Sequence, residues 1–266
     1  WRRFGDPRYG SFRGIGVGAA LAGTLAGDAL TTPLLLALGA HPAVATAIGM
    51  LPFTFSAAQL LVPSLLRRAD GNLRLVTLGI LALGETRGFV LVVVTLLAAA
   101  GAIPHVAAIG LIALVMCVGG AASAIGGTNL LAWYGAILPD TERRFVAPRV
   151  MGITLGLGAV LLVPVALLVQ AGYGTVGIRV YALVFAVAGC AGIAELVFLR
   201  RLTHPGRVRV AARGTTETFL AGSYFRYGFH EDALESGLWV AEALGGETRP
   251  WQWSPQDGRT TLAGVV

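Results

Sequence analysis

Residues 105–131 read HVAAIGLIALVMCVGGAASAIGGTNLL and contain no aspartate, glutamate, lysine or arginine. A helix of about 20 apolar residues is enough to cross the hydrocarbon core of a bilayer, and this stretch is longer than that. Similar stretches occur at roughly 14–38, 43–66, 75–100, 149–171 and 178–199. The chain is therefore predicted to be an all-α membrane protein, built as a six-transmembrane-helix bundle.

The composition agrees with a membrane domain followed by a different kind of segment. The 266-residue chain is 55% hydrophobic and 13% charged, with a mean hydropathy of +0.73, whereas soluble domains carry about 25% charged residues. Charges become frequent only from Pro205 onward. We predict a membrane domain at 1–204 and a soluble tail at 205–266. Cys117 and Cys190 lie inside apolar runs without a CxxC pair or Cys/His cluster, so no disulfide framework or metal site is predicted.

Arginine placement predicts how the spans are oriented. The net charge is +6, and the arginines of the membrane domain gather at the N-terminus, in the connections 67–74 and 138–149, and from Arg200 onward. The other three connections carry only Arg179. The positive-inside rule places the arginine-rich segments, and hence both termini, in the cytoplasm. Arginine beside apolar runs indicates orientation in a bilayer, and no nucleic-acid partner is expected.

Small residues recur at the spacing with which membrane helices pack. Close backbone approach replaces the hydrophobic effect as the source of helix association in lipid. The pairs are Gly14/Gly18, Gly23/Gly27 and Gly152/Gly156, and the fourth stretch adds Gly119, Gly120, Ser123, Gly126 and Gly127. These spacings predict that the spans form a packed bundle.

Polar residues inside the spans are the candidates for transport or substrate contact, because such residues are costly in lipid and are functional by default. They are Asp28, Thr31, Thr32, Glu85, Arg87 and Asn129. An ion pair between Asp28 and Arg87 is the simplest way to partner two of them, either as a static contact or as a gate. The alternative for Asp28 is a hydrogen bond to a neighbouring threonine or to the backbone.

Three residues near span ends receive a simpler interpretation. Glu195 lies close to Arg200 at the end of the last span, where its side chain is expected to reach the membrane surface. Trp133 and Tyr134 are expected to anchor the fourth span at the interface, with an entry lining as the alternative.

Two segments and the span pattern resemble a known transporter family. They are LVPSLLRRADGNLRLVTLG at 61–79 and NLLAWYGAILPDTERRFVAPRVMG at 129–152. Residues 1–204 resemble the N-terminal six-helix half of a major facilitator superfamily transporter. Arg67, Arg68 and Gly71 match part of that family's basic loop, whereas the aspartate before the arginines is missing. The resemblance implies cavity-lining first and fourth helices.

The function implied by this resemblance is movement of a small solute by alternating access. The expected partners are the lipid bilayer, the solute, and a second six-helix half, supplied by another polypeptide or by a second copy in a homodimer. The chain is expected to be a fragment or fusion carrying half of a transporter. A bacterial inner membrane is the expected location.

The tail resembles a different class of protein. Residues 217–223 read as a short strand, followed by a loop and by a helix with apolar residues on one face. The stretch 215–246, which contains YGFHED, resembles the C-terminal end of a flavin-containing amine oxidase-like NAD/FAD-binding oxidoreductase. The FAD contacts that the resemblance implies are Gly222, Tyr227, Gly228, Phe229, His230, Glu231, Asp232, Ser236 and Gly237.

The rest of a flavin site is missing from the sequence. A dinucleotide site also needs a βαβ unit with GxGxxG, which the sequence lacks, so no cofactor and no catalytic residue are predicted. The chain is not expected to be an enzyme by itself. The alternatives are a membrane-tethered FAD-dependent oxidoreductase, whose dinucleotide-binding part comes from another chain, and a non-transporting membrane scaffold.

Overall fold

The computed structural model describes residues 2–204, and for a few of them only the backbone. The residues without described side chains are Arg2, Arg3, Arg8, Asp140 and Thr141. The predicted strand, loop and helix of the tail, and all nine residues named as FAD contacts, lie outside the described part of the chain.

Within residues 2–204 the structure contains nine α-helices and no strand. They are α1 (Gly10–Leu25), α2 (Asp28–Ala37), α3 (Pro42–Thr54), α4 (Val62–Arg68), α5 (Leu73–Glu85), α6 (Arg87–Ala99), α7 (His105–Ile137), α8 (Asp140–Val176) and α9 (Arg179–Arg200). Three 3-10 helices accompany them, at Arg2–Gly5, Pro7–Tyr9 and Phe55–Leu61.

These helices form six segments that are long and apolar enough to cross a membrane, which confirms the predicted span number for the described residues. Spans 1 to 6 are Gly10–Ala37, Pro42–Arg68, Leu73–Ala99, His105–Ile137, Glu142–Val176 and Arg179–Arg200. Spans 4 and 6 are single helices, and span 5 lies within α8. Spans 1 and 3 are each made of two helices, and span 2 contains the 3-10 helix between α3 and α4.

Local hydrogen bonds stabilise the two breaks. At the break in span 1 the Thr31 hydroxyl donates to the Gly27 carbonyl at 3.0 Å. At the break in span 3 the Thr86 hydroxyl donates to the Ala82 carbonyl at 2.9 Å. Lipid offers no hydrogen bonds to backbone groups, so interrupted membrane helices need such internal partners.

The connection predicted at 138–149 is too long. Only Leu138 and Pro139 separate α7 from α8, and the Pro139 carbonyl accepts from the backbone N–H groups of Glu142 and Arg143 at 2.9 and 2.8 Å. Proline is well tolerated where a helix begins, because the first N–H groups have no partner within the helix. The acids and arginines of this segment therefore belong to the first turns of α8.

The core consists of two apolar clusters at opposite ends of the bundle. The proximal cluster lies where span 1 begins and span 6 ends, and includes Phe4, Phe12, Ile15, Leu73, Leu81, Ile125, Trp133, Tyr134 and Leu199. The distal cluster lies at the other end, and includes Leu25, Leu34, Ile48, Leu91, Val94, Ile112, Met116, Phe185 and Ala188.

Between the two clusters lies a polar layer, which we define by Gly18, Glu85, Arg87, Ser123 and Glu195. Along each of their spans these residues fall after the last member of one cluster and before the first member of the other. The fold therefore places its buried charges at the level where neither apolar cluster extends.

Glycines set how closely the spans approach. A Cβ on Gly88 of span 3 would lie 2.6 Å from the Gly189 backbone nitrogen of span 6, so the two backbones touch. Gly18 packs just as closely on span 6, as its spacing predicts. By contrast, Gly152 and Gly156 have no atom within 4 Å of their Cβ positions. Among the described residues nothing lies against the Gly152/Gly156 pair, so the helix packing predicted for it is not formed within residues 2–204.

Candidate functional site

The break in span 3 sends two charged side chains to different neighbours. Glu85 is the last residue of α5 and Arg87 the first of α6, and residues two apart on a helix do not face each other. A Cβ on Gly192 of span 6 would lie 2.7 Å from the Glu85 Cβ and 2.8 Å from its Oε2. The Glu85 side chain therefore lies directly on span 6.

Arg87 turns towards span 4. Its aliphatic part crosses Gly119, whose Cβ position lies 2.9 Å from the Arg87 Cδ. One of its terminal nitrogens donates a hydrogen bond of 3.3 Å to the Ser123 hydroxyl. The small residues predicted for helix packing on span 4 thus make room for a guanidinium.

Glu195 completes the charged part of the layer. Its side chain is buried, with 3% exposure, and a Cβ on Gly18 of span 1 would lie 2.7 Å from the Glu195 Cβ. Gly192 and Glu195 are one turn apart on span 6, which brings Glu195 to the face on which Glu85 lies. The two glutamates interact electrostatically with each other and with Arg87.

The prediction that Glu195 reaches the membrane surface beside Arg200 is wrong. Arg200 is exposed, whereas Glu195 is enclosed between spans 1 and 6. A signal was present in the sequence, because Gly192 and Glu195 share a helix face and Gly14 and Gly18 offer a matching small face on span 1. An acid on a glycine-lined face is directed into the bundle.

Several buried polar atoms of this region have no hydrogen-bond partner among the described residues. They are Oε2 of Glu85, Oε2 of Glu195, Nε of Arg87, both amide atoms of Asn129 and the hydroxyl of Tyr134. Burying such groups without partners costs free energy, and native structures contain few of them. Oε2 of Glu85, Oε2 of Glu195 and Nε of Arg87 belong to the polar layer, which marks this layer as a candidate functional site.

Tyr134 and Trp133 lie inside the bundle. Trp133 is fully buried, and its indole N–H donates to the Thr203 carbonyl at 2.9 Å. Tyr134 packs edge-on against Phe12, with ring centroids 5.3 Å apart, and interacts electrostatically with Glu195. The prediction of interfacial anchoring is therefore wrong for both, because their rings fill the proximal cluster.

Asp28 occupies a separate place. It is exposed, begins α2, and lines an open groove of about 350 Å³ between spans 1 and 5, together with Thr24, Thr154 and Gly158. No hydrogen bond or ion pair joins Asp28 to Arg87 in the described residues, so the predicted ion pair is not formed. Asp28 lies on the groove at the level of the distal cluster, between Leu25 and Leu30, whereas Arg87 lies in the polar layer and packs on span 4.

The two threonines after Asp28 face other surfaces. Thr31 is fully buried, and its hydroxyl donates a hydrogen bond to the Gly27 carbonyl. Thr32 lies against span 2, where a Cβ on Gly49 would be 2.8 Å from the Thr32 hydroxyl oxygen. The sequence candidates thus do not form one site: Glu85 and Arg87 belong to the polar layer, whereas Asp28 is exposed on the groove between spans 1 and 5.

A second groove continues the first. It has a volume of about 450 Å³, shares Ala29 with the Asp28 groove, and extends along spans 1 and 5 to Gln170, Tyr173 and Tyr181. Spans 2 and 5 are also the least buried of the six. Only 17% and 11% of the residues in their most apolar 18-residue stretches lie inside the bundle. The two grooves therefore form an open seam along spans 1 and 5, and span 5 is among the least covered spans of the described domain.

Comparisons with protein-family models, with curated proteins and with solved structures gave no match to this chain. Within residues 2–204 the class that the fold defines is an all-α bundle of six helical segments that are long and apolar enough to cross a membrane, with a charged layer between two apolar clusters. The resemblances to a major facilitator half and to a flavoenzyme C-terminus stay predictions.

Proposed function

We propose that the chain is a membrane transporter, which moves a small solute by alternating access along the seam between spans 1 and 5. The described domain acts as one half, and a second six-helix half, either another polypeptide or a second copy, covers the seam. The observation that carries the proposal is the exposed carboxylate of Asp28 inside an apolar span.

A carboxylate in this position is costly if it faces lipid. Intramembrane acids almost always face a bundle interior or a water-filled cavity. Covering the Asp28 groove with a second half gives the carboxylate such an environment. The hydroxyls of Thr24 and Thr154 also lie on this groove, so the pathway offers a negative charge and hydrogen-bonding groups to a solute that carries a positive charge.

The break in span 1 supports movement at this site. Asp28 is the first residue of α2, and Ala26 and Gly27 separate it from α1. Discontinuous membrane helices commonly form solute sites, because their ends place backbone groups and charged residues at membrane depth. A change of angle at Gly27 would move Asp28 relative to span 5.

Reconstituted protein tests this proposal. The full chain is placed in lipid vesicles, and charge movement or uptake is measured for a panel of amines, cationic amino acids, sugars and organic anions. We expect a signal with a cationic solute and its loss in Asp28→Asn. Asp70→Asn is the matched control, because Asp70 lies in the exposed turn between spans 2 and 3.

The outcomes separate the alternatives. A folded protein that moves no member of the panel, or an Asp28→Asn variant that transports as well as the parent, would overturn the proposal and favour the scaffold. Stoichiometric flavin absorbance in the purified chain would favour the membrane-tethered oxidoreductase instead.

A further inference from the structure

The charges of the polar layer do not balance. Span 3 contributes Glu85 and Arg87, span 6 contributes Glu195, and span 1 contributes Gly18, which is uncharged. Span 4 contributes Ser123, which is neutral, and the neutral Tyr134 hydroxyl of the proximal cluster acts on Glu195. With both carboxylates ionised, the layer would carry one net negative charge inside the bundle.

The single guanidinium does not form a direct ion pair with either acid. Arg87 donates to Ser123 at 3.3 Å, while its Nε has no partner among the described residues. Oε2 of Glu85 and Oε2 of Glu195 are likewise buried without a hydrogen-bond partner. The charge of Arg87 acts on both acids through space and is too small to neutralise two carboxylates.

Close packing excludes a large ligand at the two acids. Glu85 lies against Gly192 and Glu195 against Gly18, each within 3 Å of the glycine's Cβ position. The residues that line the two grooves do not include either acid. Among the described residues no group of three metal-binding side chains occurs. A proton needs neither a cavity nor several ligands.

We propose that Glu85 and Glu195 together bind one proton, so that the layer is neutral with one ionised carboxylate, one carboxylic acid and the Arg87 guanidinium. Two neighbouring carboxylates in a medium of low dielectric constant repel strongly, and one proton removes that repulsion. The proton moves from water to a carboxylate oxygen, and no other bond changes. This site is separate from the Asp28 groove and does not depend on the proposed transport.

Infrared spectroscopy of the full chain in lipid nanodiscs tests the proposal. A protonated carboxylic acid has a carbonyl stretch that an ionised carboxylate lacks. We expect one such band at neutral pH, and its loss in Glu85→Gln and equally in Glu195→Gln. Either substitution leaves one carboxylate beside one guanidinium, so the remaining acid ionises and the layer stays neutral.

Two control variants assign the band. Glu142→Gln removes an acid near the start of span 5 and should leave the band unchanged. Asp28→Asn removes an acid in the middle of span 1, outside the polar layer, and should leave the band unchanged too. A parent protein without the band, a band that survives in both glutamine variants of the layer, or a band lost only in Asp28→Asn would overturn the proposal.

Thermal stability gives an independent reading. If the folded protein holds a proton that the unfolded chain releases, stability falls as the pH rises, because the unfolded state then binds fewer protons. We expect the melting temperature of the parent to fall between neutral and alkaline pH by more than that of Glu85→Gln. An equal or smaller fall in the parent would contradict the shared proton.

Discussion

Gly192 of span 6 and Glu85 of span 3 are in such close contact that a methyl group on Gly192 would lie 2.7 Å from the Glu85 Cβ and 3.1 Å from its carbonyl oxygen. The Gly192→Ala variant should therefore lose stability by roughly 1–3 kcal/mol, the usual cost of overpacking. The melting temperature in detergent measures this. Gly110→Ala is the control, because nothing lies within 4 Å of its Cβ position, and it should be unchanged or more stable.

The Gly14/Gly18 pair of span 1 and the Gly152/Gly156 pair of span 5 should respond differently to the same substitution. Gly18→Ala should destabilise the domain by about 1–3 kcal/mol, because Glu195 and the Ala191 carbonyl lie against it. Gly156→Ala should leave the stability of the isolated domain unchanged. If Gly156 packs against a second half, its variant would instead weaken association, which the oligomer fraction in nanodiscs would report. Equal losses of stability would contradict the described packing.

Removal of the only guanidinium in the polar layer should be severe. Arg87→Met leaves Glu85 and Glu195 without their opposing charge and removes the hydrogen bond to Ser123, so a loss of about 1–3 kcal/mol is expected. Adding Glu85→Gln should restore part of that loss, which a double-mutant cycle on melting temperatures would reveal. Arg68→Met, on the exposed end of α4, should have little effect. Additive losses in the double variant would show that the two residues are not coupled.

Trp133 should behave as a core residue. Trp133→Phe removes the hydrogen bond to the Thr203 carbonyl and should cost about 1 kcal/mol or more. The fluorescence that disappears in this variant should be blue-shifted and insensitive to iodide in water, because the indole is fully buried. Quenching of this emission by iodide would instead indicate that Trp133 lies at the membrane interface.

The arginine distribution predicts which turns face the cytoplasm. In a Cys117→Ser/Cys190→Ser background, Asp70→Cys and Ala102→Cys place one thiol in each type of turn. A membrane-impermeant maleimide added to whole cells should label the cysteine at 102 and not the one at 70, and disrupted cells should show both labelled. The opposite pattern would reverse the predicted orientation.

The sequence predicts the number and approximate limits of the spans, because a long apolar run is compatible with few structures other than a membrane-crossing helix. The turns are also readable: Gly39 and Gly101 each end a helix with φ values of 87° and 69°, a conformation in which glycine is favoured. The length of α8 is harder to predict from the sequence. Charged residues in the part of a helix that extends beyond the bilayer resemble those of a loop.

The sequence predicts only some of the residues of the candidate site. Glu85, Arg87 and Asn129 stand out as polar residues in apolar runs, but their partners depend on helix rotation, which span limits do not determine. Asp28 and Arg87 both lie inside apolar spans, yet Asp28 is on a groove at the level of the distal cluster and Arg87 packs on span 4 in the polar layer. The short distance along the chain from Glu195 to Arg200 predicts a side chain at the membrane surface. The helix face that Glu195 shares with Gly192 instead directs it into the bundle.

The break at Thr86 has a mechanical consequence. Helix α5 contributes Leu73 and Leu81 to the proximal cluster, while α6 contributes Leu91 and Val94 to the distal cluster. Span 3 therefore consists of two helices that meet at Thr86, each packed in a different apolar cluster. Spans 4 and 6 run unbroken through both clusters, so a change of angle at Thr86 would move α5 and α6 relative to each other against two continuous helices.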